Sequence, residues 1–268
     1  MRTHLLRISS VLSLLFAVLG VAACGSSAKP AAEPGATTTT RSSPASAVAP
    51  VIDPGDGGNY HPRIDPADFS VVIDNPYMPF TPGSKWRYEG TSNGGRETVE
   101  VTVTDRHKRV MGIDAVVVHD VVEVDGAVVE DTIDWYAQDK EGNVWYLGEQ
   151  VKEFAPGEPV SAAGSWEAGV NGALPGIVMP AVPKTGDAYR QEYYKGEAED
   201  LMKVIATDDR ATVPTGSYTD VVVTEEWNPL EPKVIENKSY AKGVGVILEE
   251  GVRGVSGRSE LVEYTPGS

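Results

Sequence analysis

KWRYEGTSNGGRETVEVTVTD, residues 85–105, decides the fold class. Trp86 and Tyr88 alternate with charged residues. Asn93-Gly94-Gly95 then turns the chain into Val99, Val101 and Val103, which share one face. Alternation with a period of two, broken by a turn that tolerates positive φ, is the mark of a β-hairpin.

The pattern recurs along the chain. Next come IDAVVVHDVVEV, an Asp125-Gly126 turn, AVVEDTIDWYAQD, a Gly142-Asn143 turn and VWYLGEQVKEF. Further on lie DAYRQEYYKG, LMKVIAT, SYTDVVVTEEW, KVIENKSYA, VGVILEEGVRG and SELVEYT. Gly, Pro, Asn and Asp punctuate them, and no window carries a 3.6-residue apolar period. The expectation is an all-β antiparallel domain of roughly ten to eleven strands, as a curved sheet, sandwich or partly closed barrel. SWEAGVNGALPGIVMPAVPKTG, residues 165–186, reads as one long irregular loop, a functional segment or a lid.

The amino-terminal region is of another kind. Arg2 and Arg7 precede an apolar run from Val11 to Val21, too short for a bilayer core that takes about 20 residues. Val21-Ala22-Ala23-Cys24 follows, and Cys24 is the chain's one cysteine. This segment resembles a bacterial lipobox, which implies cleavage before Cys24 and acylation (palmitate) of its thiol. Buried acyl chains at about 0.8 kcal/mol per CH₂ make a stable anchor when two or three are attached. With that thiol consumed, the mature domain has no cysteine for a nucleophile, a thiolate metal site or a disulfide.

Three regions follow: residues 1–24 as a lipoprotein signal peptide, 25–68 as a disordered Ala/Pro/Ser/Thr/Gly tether, and 69–268 as a single β-rich domain. A tether of that length reaches a few tens of Å. The expected location is the extracytoplasmic side of the cell membrane, lipid-anchored. The formal net charge is −16, and losing Arg2 and Arg7 makes it more negative, which argues against nucleic acid and anionic membrane surfaces as partners.

Catalytic side chains are sparse. Within 69–268 there are His107, in a charged turn, and His119, in a Val-rich strand where a satisfied histidine is the simpler reading. There is no G-x-S-x-G elbow and no histidine pair at metal-ligand spacing, so neither a His-dependent hydrolase nor an imidazole metal site is expected. DPGDGGN (53–59) and DKEGN (139–143) read as turns rather than calcium loops. No cofactor is expected, and the chain reads as a binder more than an enzyme.

Aromatic residues are more telling. Trp135-Tyr136 and Trp145-Tyr146 fall on the two strands of one hairpin, and each pair must point to opposite faces of the sheet. With Trp166 they form the candidate ligand-binding set, for an apolar or amphiphilic molecule or an envelope component. Cross-strand packing of the same rings is the plainer alternative. Two further readings stay open. One is a structural lipoprotein docking on an envelope protein. The other is a carboxylate-dependent envelope hydrolase built on Glu192, Glu197, Glu199 or Asp200, with Glu225-Glu226 a further pair.

NPYMPFTPGSKWRYEG (75–90), DWYAQDKEGNVWYLGE (134–149), GSWEAGVNGALPGIVMP (164–180), YRQEYYKGEAED (189–200) and YAKGVGVILEE (240–250) together resemble a family of bacterial, actinobacterial-type cell-envelope lipoproteins. The resemblance covers most of the domain and implies location and membership, with no catalytic residue, cofactor or substrate attached. Asp139-x-x-Gly-Asn-Val-Trp-Tyr also resembles a β-propeller hairpin, but it occurs once, and a propeller needs several copies.

Overall fold

The computed structural model describes residues 60–92, 94–155 and 157–268. The signal segment, Cys24 and the tether up to residue 59 lie outside the described residues. Residues 60–68, assigned to the tether by composition, belong instead to the domain. The Tyr60 ring is buried edge-on to Tyr193 at 5.8 Å, and its hydroxyl donates to the Pro175 carbonyl at 2.8 Å. Asp65 accepts from the Ala67 amide and starts a 3₁₀ turn over Pro66–Asp68. Composition averaged over the segment hides one aromatic anchor at its end.

Sixteen strands form among the described residues. They are β1 (Phe69–Ser70), β2 (Lys85–Ser92), β3 (Gly95–Val110), β4 (Ile113–Val124), β5 (Ala127–Asp139), β6 (Val144–Ala155), β7 (Glu158–Ser161) and β8 (Trp166–Glu167). The second half contributes β9 (Leu174–Met179), β10 (Ala188–Arg190), β11 (Glu192–Tyr193), β12 (Leu201–Val213), β13 (Gly216–Trp227), β14 (Ile235–Ala241), β15 (Gly245–Arg253) and β16 (Gly257–Thr265). The expectation of ten to eleven is corrected upward. Every stretch recognised by alternation is a strand, DAYRQEYYKG being divided into β10 and β11. The additional ones, β1, β7, β8 and β9, are too short or too rich in Pro and Gly to alternate. Residues 165–186 are therefore not one irregular loop, since β8 and β9 lie within them. His107 is likewise exposed on β3, not in a turn.

Two-residue turns with positive φ at both positions, Met111-Gly112 and Asp125-Gly126, join β3 to β4 and β4 to β5. This handedness matches the twist of the flanking strands.

The sheet is antiparallel and runs in the order β10-β12-β13-β14-β15-β16-β2-β3-β4-β5-β6-β9-β11. β10 and β11 are the two ends of this path, yet only Gln191 separates them in the chain. Residues 188–193 thus pair with β12 on one side and with β9 on the other, giving a nearly closed barrel. The seam is tight. Gly176 on β9 packs so near Gln191 that a Cβ there would overlap the Gln191 carbonyl.

The face carrying Trp86, Tyr88, Val99, Val101 and Val103 points inward and is buried. The segment from Ile73 to Phe80 fills part of this interior. Phe80 meets Trp86 edge-on at 5.7 Å and Tyr136 at 5.1 Å. Asn75 Nδ2 donates to the carbonyls of Gly142 and Pro180, both at 3.0 Å, and its Oδ1 accepts from the Tyr77 amide at 2.9 Å. These bonds explain NPYMPF physically, as an apolar plug pinned by one amide.

Candidate functional site

The inward-facing positions are not uniformly apolar. On β3 the series Glu97, Val99, Val101, Val103 lies on one face, and Glu97 is fully buried. On β5 the same face carries Glu130, Thr132, Asp134 and Tyr136, opposite Glu149 and Tyr146 of β6. Asp120, Glu192, Glu226 and Glu249 are also buried. The barrel therefore encloses an acidic interior, in which Lys238 is the buried lysine. Its Nζ lies 2.8 Å from Glu226 Oε2.

Burial decides the protonation of this interior. It pushes the Asp134 carboxyl up to about 8 against the lowering hydrogen bond from Tyr146, while Glu130 and Glu192 add repulsion. Asp120, Glu149, Asp200 and Glu249 also rise well above the usual carboxylate range, burial being the largest cause for each. Glu192 and Asp200 share a hydrogen bond, so the fold does bring together two of the four carboxylates singled out for a hydrolase. Glu197 sits in the turn after β11, and Glu199 accepts from the Gly196 amide at 2.7 Å. Among the described residues no group of three or more His, Cys, Asp or Glu is arranged to hold a metal ion. His119 is satisfied by Asp131 at 3.2 Å.

The five aromatic candidates separate by face. Tyr136 and Tyr146 point inward and stack at 4.8 Å between centroids, 19° apart. Both are fully buried, and the Tyr146 hydroxyl donates to Asp134 at 2.6 Å. They are packing residues, so neither offers a ring to a ligand. Trp145 points outward beneath β1, where it meets Phe69 at 6.0 Å and donates its indole N–H to Asp139 at 2.8 Å.

Trp135 and Trp166 remain. They help line a cleft of about 350 Å³ on the outer side of β6, together with Lys108, Glu149, Gln150, Ser165, Glu167, Val170, Asn171 and Tyr194. One rim is the segment from Ser165 to Asn171, held to β6 by several bonds. Ser165 Oγ accepts from the Val151 amide at 2.9 Å, the Ala168 amide donates to the Leu147 carbonyl at 2.9 Å, and Gly148 and Glu149 pair with Glu167 and Trp166. Lys108 Nζ lies 3.5 Å from the Trp135 ring centroid and 2.8 Å from Glu167 Oε2.

Strand alternation places Trp135 and Glu167 on the outward face, across Gly148. It places Glu149 and Trp166 on the inward one, where the Trp166 ring meets Tyr146 edge-on at 5.3 Å. The cleft therefore lies outside the sheet, with Glu149 and Trp166 marking its boundary with the acidic interior. Both Glu149 carboxylate oxygens and the Trp166 indole nitrogen are buried without a hydrogen-bond partner.

Reading by residue type reached Glu192, Asp200 and Glu226 but missed the other interior carboxylates. Their signal was phase, since Glu97, Asp120 and Asp134 fall on the same alternation as the buried valines and tyrosines.

No protein-family model matches the chain, and the curated proteins give no match. Among solved structures the chain is similar to a Bacteroides fragilis protein named as exported and as having a YmcC-like fold. The two are 14% identical with a TM-score of 0.42, over 71% of this chain and 99% of that one. It is also similar to a Parabacteroides distasonis protein named as a lipoprotein, 12% identical with a TM-score of 0.39, again over 71% and 99%.

Proposed function

We propose that the chain is a membrane-anchored extracytoplasmic lipoprotein whose β-barrel domain binds an amphiphilic envelope component rather than catalysing a reaction. The anchor reading rests on Val21-Ala22-Ala23-Cys24 after an apolar run and before a Pro/Ala/Ser/Thr tether. The observation that carries the binding reading is the cleft beside Trp135 and Trp166, rimmed by residues 165–171. Its volume suits a small molecule or one headgroup, such sites spanning about 300–1,000 Å³. The buried carboxylates support binding over hydrolysis, because the acid-base chemistry of a glycosidase needs its carboxyl pair open to substrate and water.

Two measurements test this. Metabolic labelling with palmitate should mark the wild-type chain and spare Cys24→Ser; equal labelling of both removes the anchor. Mass spectrometry of molecules copurifying from native envelope should find a species that is lost in Trp135→Ala. A clean protein, or a species retained by that variant, rejects the cleft as the binding site.

A further inference from the structure

The chemistry of the cleft wall specifies more than its volume does. Val170 is the one aliphatic side chain in the lining, and the rest are aromatic or polar. Such a wall mixes aromatic faces with polar groups and lacks the continuous aliphatic surface that suits an acyl chain. A saccharide ring suits it on both counts. Its hydroxyls donate and accept, matching the amides of Gln150 and Asn171 and the Glu167 carboxylate, and its C–H face packs flat on an aromatic ring. The space admits one or two sugar units rather than a long glycan.

The Trp135 ring is the obstacle, being 5% exposed. Lys108 covers it, with its ammonium 3.5 Å from the ring centroid. What holds that ammonium is weak in kind. The ion pair with Glu167 joins two side chains that are each one-third exposed, and a lysine over an indole at the surface is a modest attraction. A flexible four-carbon stem lets the ammonium leave without moving the backbone.

We propose that the cleft recognises a saccharide, and that Lys108 is a displaceable cover over the Trp135 face on which the sugar stacks. This rests on the ligand-binding reading above and names the class of ligand for that site. The sugar takes the place of the ammonium, which swings toward solvent, while Glu167 is released from the ion pair to accept from a sugar hydroxyl.

The test uses the full-length chain carrying Cys24→Ser, followed by tryptophan fluorescence and calorimetry. The probes are methyl α-D-mannopyranoside, N-acetylglucosamine, maltose, hexyl β-D-glucoside and hexanoate. At least one free sugar or the hexyl glucoside should bind, and hexanoate should not. Equal affinity for hexyl glucoside and the best sugar indicates a free glycan as the source; much tighter hexyl glucoside indicates a glycolipid headgroup. Lys108→Ala should tighten binding by about threefold, because the covered state no longer competes. Trp135→Ala should weaken it by about tenfold. Should that variant not fold, Gln150→Ala and Asn171→Gly should still weaken binding. Gln150 is exposed, and Asn171 sits at φ 52°, where glycine is at ease.

Binding of hexanoate and hexyl glucoside alike, without the sugars, overturns the saccharide assignment and leaves a tail-binding cleft, so the proposed function survives. Silence from every probe overturns the saccharide assignment, and the envelope copurification then decides the binding reading separately. Loss of binding in Lys108→Ala overturns the cover.

Discussion

Lys238 Nζ and Glu226 Oε2 meet at 2.8 Å inside the barrel, where Lys238 is 1% exposed. Thr224 Oγ1 and the Tyr240 hydroxyl donate to the other Glu226 oxygen at 3.1 and 3.3 Å. This cation thus sits among several buried acids. Attraction from Glu226 and Glu249 outweighs the burial penalty and holds the lysine charged, its pKa raised above the ordinary value. Removing it should cost far more than losing a surface pair. Lys238→Met is expected to destabilise the domain by about 3–5 kcal/mol, the range for stripping one partner from a buried ion pair. Urea unfolding measures this, and a loss below about 1 kcal/mol would show that the pair is dispensable.

The interior carboxylates give the domain an unusual pH dependence. Their folded pKa values lie above the ordinary carboxylate range, about 8 for Asp134 and about 7 for Glu236, with Asp120, Glu149, Asp200 and Glu249 also raised. Between about pH 4 and pH 8 the native state therefore binds more protons than the unfolded one, so stability falls as pH rises. Melting temperature should be highest near pH 5 and decline to pH 8, each lost kcal/mol moving it by about 2–4 °C for a domain of this size. A profile that rises from pH 5 to pH 8 contradicts a protonated interior.

Tyr146→Phe isolates one contact in that interior. The hydroxyl donates to Asp134 at 2.6 Å and lowers its pKa against burial. Without it the carboxyl should titrate higher still, and the domain should lose about 1–3 kcal/mol. Carboxyl-detected NMR of Asp134 reads the first effect and chemical denaturation the second. An unchanged Asp134 titration would mean the hydroxyl does not serve the carboxylate.

Gly176 is set by the barrel seam. A methyl group there collides with the backbone of Gln191, which cannot turn aside as a flexible side chain could. Gly176→Ala should therefore prise β9 from residues 190–193 and cost about 3 kcal/mol or more, at the upper end of overpacking. Gly94→Ala, where nothing lies within 4 Å of the added methyl but φ is +85°, carries backbone strain without a collision and should cost only about 1–2 kcal/mol. Equal melting temperatures for the two variants would place the seam elsewhere.

What the sequence by itself determined is the part written in near neighbours. Alternation of residues i and i+2 together with two-residue turns specifies strands and hairpins, and β2 to β6 follow the order in which they are read. The same rule sends Trp135 and Trp145 to one face and Tyr136 and Tyr146 to the other.

Only the tertiary structure decided which face is enclosed and by what. Barrel closure joins residues 188–193 to β9 and β12 at once, and Tyr60 reaches the Pro175 carbonyl from 115 residues away. Asp120 or Asp134 on an open sheet would be an ordinary solvated acid. Inside a closed one, the lost hydration raises its pKa. Which face a ring occupies is decided the same way, because Tyr136 and Trp135 are neighbours in the chain and differ in what the rest of the molecule lays over them.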